Sequence, residues 1–118
     1  MKITNNEIYA LMQGLQELKS LKVTIPIKDG FNLIKDIKIL TPIVEAIDES
    51  REEIISKYAN ESGAVPPESA AQANQELYEL SLIENEVDLI KLPLIKVEKL
   101  ELDLNLISKI APIIEDEE

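Results

Sequence analysis

Glu49, Glu52 and Glu53 form an E-x-x-E-E run, and Glu76 and Glu79 follow as an E-x-x-E pair. Set on two facing helices, carboxylates at these i, i+3 and i+4 spacings would offer the oxygen ligands that Mg²⁺ takes. The rest of the reactive inventory is short. The 118 residues include no His and no Cys. That excludes disulfides, thiol nucleophiles, imidazole bases and the usual zinc sites. No recognisable motif sets a Lys base beside a Ser or Thr. Gly14, Gly30 and Gly63 are isolated, so no glycine-rich loop cradles a phosphate.

Helical nucleotide pyrophosphatases pair acidic clusters of this general kind, but the order here departs from theirs. E-x-x-E-E replaces E-E-x-x-E, Glu79 stands where an Asp is usual, and no Lys or Arg lies near Glu76 in sequence to hold a phosphate. Glu is also a good helix former, so an exposed acidic helix face accounts for the same residues. The expectation is a chain without catalytic residues, metal or cofactor.

Charge carries more information than any motif. The formal net charge is -11, which argues against nucleic acid or an anionic membrane as a direct ligand. Residues 1–59 hold 9 acidic and 8 basic side chains, whereas residues 60–118 hold 14 and 4. Between Glu61 and Asp88 there are seven carboxylates and no Lys or Arg, and the chain closes on Glu115-Asp116-Glu117-Glu118. Such asymmetry points to a basic partner or to a solvated acidic face. Within it, Glu76, Glu79, Glu84, Glu86 and Asp88 are the candidate partner-binding residues.

The elements that position these side chains are mostly helical. Residues 4–21 form an amphipathic helix: Thr4 and Glu7 have capping-box spacing, and Ile8, Leu11, Leu15 and Leu18 make its apolar stripe. Residues 23–27 are an extended connector. A long helix follows over 29–59, where Ile37, Leu40, Val44, Ile47 and Ile54 recur at the 3-4 spacing of a coiled-coil seam. Arg51 interrupts that seam, either snorkelling or meeting a carboxylate. Pro42 falls inside the run, and the unbroken heptad phase favours a kink there over a new helix capped by Thr41. A third helix covers 68–84, with Ser69 and Gln72 as a second capping box.

Residues 86–114 change character. Glu86–Leu92 and Leu94–Val97 read as strands, and the alternation of Leu100, Leu102, Leu104 and Leu106 fits either a strand or a helical stripe. The expectation is a strand to about Leu100, then a short helix from about Leu104 to Ala111 stopped by Pro112. The expected fold is a single mainly helical α+β domain over 1–118. Three helices, one long and kinked, carry a small C-terminal β element and an acidic tail at 115–118.

Ile and Leu supply 34 residues while Phe and Tyr supply 4. A three-helix unit has difficulty burying so long an aliphatic seam alone, which makes Ile37, Leu40, Val44, Ile47 and Ile54 candidates for homo-oligomerisation. No aliphatic run is long enough to span a bilayer, and no signal-like segment opens the chain. A cytoplasmic protein is expected.

Lys2-Ile3-Thr4-Asn5-Asn6-Glu7, the close of the long helix on Lys57-Tyr58, and Glu76-Leu77 through Glu86-Val87-Asp88-Leu89 to Leu94-Ile95 resemble a further set of sequences. These are small, acidic, functionally uncharacterised proteins encoded by phages and prophages of Gram-positive bacteria. Pro42 and residues 62–72 depart from that pattern. The resemblance implies a viral accessory protein acting in the host cytoplasm or in the virion, and implies no reaction. Its leading functional reading is a non-catalytic, oligomeric protein-interaction module. An acidic inhibitor of a host nucleic-acid-binding defence protein, mimicking DNA, and a particle-assembly component are the alternatives.

Overall fold

The computed structural model describes residues 1–21 and 24–116; Lys22 and Val23 of the expected connector and Glu117 and Glu118 of the expected tail lie outside them. The fold is mainly helical α+β. Strand β1 (Lys2–Thr4) leads into α1 (Asn5–Ser20), then α2 (Ile27–Tyr58) and α3 (Pro67–Ser81). Short elements follow: β2 (Glu84–Glu86), β3 (Leu92–Pro93), α4 (Leu94–Glu98), α5 (Leu104–Ile110), a 3-10 turn (Ala111–Ile113) and β4 (Ile114–Glu115). The molecule measures 52 × 28 × 23 Å. Its long axis matches a 32-residue helix, which at 1.5 Å per residue reaches about 48 Å.

Helix α1 forms where local signals agree. Thr4 accepts from the Glu7 N–H while Glu7 accepts from the Thr4 N–H, a complete capping box. Its stripe of Ile8, Leu11, Leu15 and Leu18 is fully buried. One flank packs on α2 and the other on α5. Gly14 makes the α5 contact possible, because a Cβ there would come within 2.8 Å of both Ile110 Cγ2 and Lys109 Cβ.

Helix α2 runs through Pro42 as one element. Pro42 faces solvent, so the Lys38 carbonyl that loses its backbone donor remains open to water. The preceding residue, Thr41, donates from its Oγ1 to the Ile37 carbonyl one turn back at 2.7 Å. The inward stripe is Asp29, Leu33, Asp36, Leu40 and Ile47. Helix α3 returns along α2, so Lys57 meets Glu76 near the turn while Ile47 and Leu80 flank one cleft further back.

Two expectations about α3 are corrected. It starts at Pro67 with Pro66 as N-cap and no side-chain cap, so Ser69 and Gln72 form no capping box. It also stops at Ser81 instead of 84. Asn5 donates to the Leu80 carbonyl at 2.8 Å and its backbone N–H to Ile83 O at 2.9 Å, turning the chain into β2. Strand β2 pairs antiparallel with β1, Ile3 opposite Asn85. Buried Asn5 accepts from Asn85 Nδ2 at 2.7 Å, which leaves this polar pair satisfied.

The strand expected over Glu86–Leu92 is also corrected. Only Glu84–Glu86 pairs, and Leu92–Pro93 forms a two-residue parallel ladder with β4. Between them, Val87 and Leu89 still point inward and Asp88 outward. The alternation is real, but the Ile90 N–H donates to Asp36 at 2.8 Å instead of to a neighbouring strand. Leu94–Val97 is helix α4, not a strand: Pro93 is its N-cap, Val97 is buried and Ile95 is exposed. The helix at Leu104 forms as expected, with Asp103 accepting from the Leu106 N–H at 2.8 Å.

Candidate functional site

The five candidate partner-binding carboxylates arise from three successive segments. Glu76 and Glu79 ride on α3, Glu84 and Glu86 on β2, and Asp88 on the segment after it. Their environments differ. Glu76 accepts from Lys57 Nζ at 2.8 Å, and that bond, helped by the neighbouring Tyr58 hydroxyl, holds its carboxyl below the usual range. The same contact raises the Lys57 ammonium and the Tyr58 phenol above their ordinary values. Glu79 accepts from Gln75 at 3.1 Å. Glu86 pairs with the α-amino group of Met1 at 2.8 Å, with its side chain 70% exposed. Glu84 and Asp88 are exposed and have no ion pair among the described residues.

Three large apolar side chains share this region. Tyr78, Leu82 and Ile83 are 60%, 50% and 51% exposed at the C-terminal end of α3. Tyr78 and Leu82 are one helical turn apart, so they lie on one face. The sequence singled out the charges here and missed the apolar trio. Its signal was the continuation of aliphatic residues past the last inward position of α3.

Among the described residues, no three His, Cys, Asp or Glu side chains are grouped to hold a metal ion. Glu49, Glu52 and Glu53 are exposed on α2, and Glu76 across from that helix is committed to Lys57.

The seam residues face inward. Leu40 and Ile47 belong to the core, Ile37 and Val44 pack against it, and Ile54 is half-buried. Arg51 meets no carboxylate among the described residues. Its guanidinium lies 5.7 Å from the Tyr9 ring centroid, a cation–π contact beside a cleft of about 290 Å³ between α1, α2 and α3. The Tyr9 hydroxyl is shielded from water and has no partner.

Two buried acids were not singled out from the sequence. Asp29 receives Lys96 Nζ at 2.8 and 3.0 Å, fastening α4 to α2. Asp36 is fully buried: one oxygen accepts from the Ile90 N–H and the other has no partner. Burial pushes its pKa from 3.8 to about 6, with the Ile90 bond pulling it partly back. The spacing Asp29–Leu33–Asp36–Leu40 places both on the apolar stripe, a signal available in the sequence. No family model matches the chain, and no curated protein or solved structure is similar to it.

Proposed function

We propose that this chain is a phage-encoded, non-catalytic protein-interaction module that self-associates and binds a second protein. The observation that carries the reading is that Tyr78, Leu82 and Ile83 are all exposed within six residues at the end of α3, with Glu79 and Glu84 beside them in sequence. Exposed large apolar side chains close together mark an interaction surface, and tyrosine is among the residues enriched at binding hot spots. The surrounding carboxylates favour a partner whose anchor pocket is rimmed by Lys or Arg. A DNA mimic in the strict sense needs a row of uncommitted anions, and Glu76 and Glu86 are already ion-paired.

The experiment is an affinity pull-down from a bacterial host lysate, washed at low and high salt, with wild type and Leu82→Ser. Leu82 is half-exposed and outside the core, so the fold is expected to survive the change. A partner that stays through the high-salt wash and is lost at least tenfold with Leu82→Ser supports the module. A basic partner released by salt and indifferent to Leu82→Ser overturns the apolar anchor in favour of the electrostatic inhibitor.

A further inference from the structure

The outer face of α2 carries charges that no salt bridge engages among the described residues, although Lys35 Nζ also stands 4.7 Å from the Phe31 ring centroid. Lys35 and Lys38 lie in its first half and Glu49 and Glu53 in its second, all exposed, with none in a salt bridge among the described residues. The terminal turns carry the charges that suit the helix dipole, Asp29 and Lys57, whereas these four lie further in, where the dipole has little effect. Glu45, Glu49 and Glu53 also stack at i, i+4 and i+8, a spacing at which like charges repel along the helix. Local helix stability therefore does not account for the pattern.

We propose that two copies of this chain associate antiparallel along the outer face of α2, with Lys38 facing Glu49 and Lys35 facing Glu53 of the second copy. This rests on the self-association in the reading above, and it moves the interface from the buried seam to the opposite side of the helix. The geometry of a regular helix supports it. Lys35 and Glu53 are eighteen residues apart, about five full turns, so they share one azimuth; Lys38 and Glu49, eleven apart, are separated by about three turns. The midpoints of the two pairs fall within half a residue of each other, at Val44. One two-fold axis at that level therefore brings both pairs together, about 13 Å and 8 Å to either side of it at 1.5 Å per residue.

Near the axis stand Pro42, exposed and uncharged, and Glu45, whose carboxylate approaches that of the second copy and offsets part of the gain. Further out, Phe31 is 56% exposed and level with Ser56 of the second copy, seven turns away. Antiparallel alignment also sets the two helix dipoles head to tail. Because exposed ion pairs are individually weak, the association is of modest affinity and sensitive to salt.

The test is sedimentation equilibrium with two charge-reversed chains, Lys35→Glu/Lys38→Glu and Glu49→Lys/Glu53→Lys. All four sites are exposed, and circular dichroism confirms that each variant is folded. Wild type is expected to dimerise at low salt and to dissociate in about 0.5 M NaCl, where the Debye length is only about 4 Å. Each variant alone is expected to associate at least tenfold more weakly, and their equimolar mixture to recover to within about threefold of wild type. Recovery in the mixture is specific to this pairing, since there every acid again meets a base. A monomeric wild type, variants that still dimerise, or a mixture that does not recover each overturns the proposal. The partner-protein reading is unaffected by any of these, because it uses the end of α3 and is read by the pull-down.

Discussion

Replacing Asp36 by Asn should remove from this protein's stability a pH dependence opposite in sign to that of an ordinary carboxylate. Asp36 is sealed from solvent, accepts one hydrogen bond from Ile90 and has no cation beside it among the described residues. Its pKa is 3.8 in the open chain and about 6 in the fold. Between those values the folded state holds a proton that the unfolded state has released. Its contribution is therefore fully present below about pH 4 and is lost as pH rises through 6. At about 1.4 kcal/mol for each tenfold change in proton affinity, the loss is at most about 3 kcal/mol, and nearer 2 once solvent screening is allowed for. Asn keeps an acceptor for the Ile90 N–H but adds an NH₂ group with no acceptor, costing about 1–2 kcal/mol at every pH. The variant is thus expected to be less stable than wild type at pH 4.5 and about equal or more stable at pH 7.5. Urea unfolding followed by circular dichroism across that range measures both curves. Taking their difference cancels the other carboxylates. A difference that stays constant with pH would falsify the assignment of a buried, proton-binding carboxyl at Asp36.

Gly14→Ala should destabilise the fold by about 1–2 kcal/mol despite the better helix propensity of Ala, because the new methyl meets Ile110 and Lys109 at 2.8 Å. A thermal melt reads this as a fall of several degrees, and an unchanged or raised Tm would mean that α5 does not approach α1 so closely. Lys96→Met should cost about 2 kcal/mol by stranding the buried Asp29 carboxylate, and adding Asn at position 29 should restore more than half of that loss. If the double variant is no better than Lys96→Met alone in urea, the pair does not fasten α4 to α2.

Legibility followed the range of the interaction that decides each element. Helix α1 was readable because Thr4, Glu7 and the Ile8–Leu18 stripe are all local. The helix at Leu104 was readable for the same reason, through Asp103. The end of α3 was not, because Asn5, far away in sequence, takes the Leu80 carbonyl and the Ile83 backbone joins it. Residues 87–91 alternate in burial like a strand, but a buried Asp side chain replaces the strand partner. Leu94–Val97 is helical, with Leu94 and Val97 inward and Ile95 and Lys96 outward, its rotation fixed by Val97 entering the core and Lys96 reaching Asp29. At the candidate site the charges were legible in the sequence. Which of them are free was not, since that depends on Lys57 and on the α-amino group of Met1.

The sharing of α1 between α2 on one side and α5 on the other has a consequence for the chain as it is made. Ile3, Ile8 and Leu11 are made about 80 to 100 residues before the segments that cover them: β1 waits for Glu84–Glu86 and the Gly14 flank waits for Ile110. At about 5–20 residues per second, that is an interval of roughly five to twenty seconds. Throughout it, an amphipathic helix and half the surface that should cover it are present without the remainder. Until α5 has been made, the Gly14 flank of α1 is uncovered, and the packing around this helix closes only when α5 arrives.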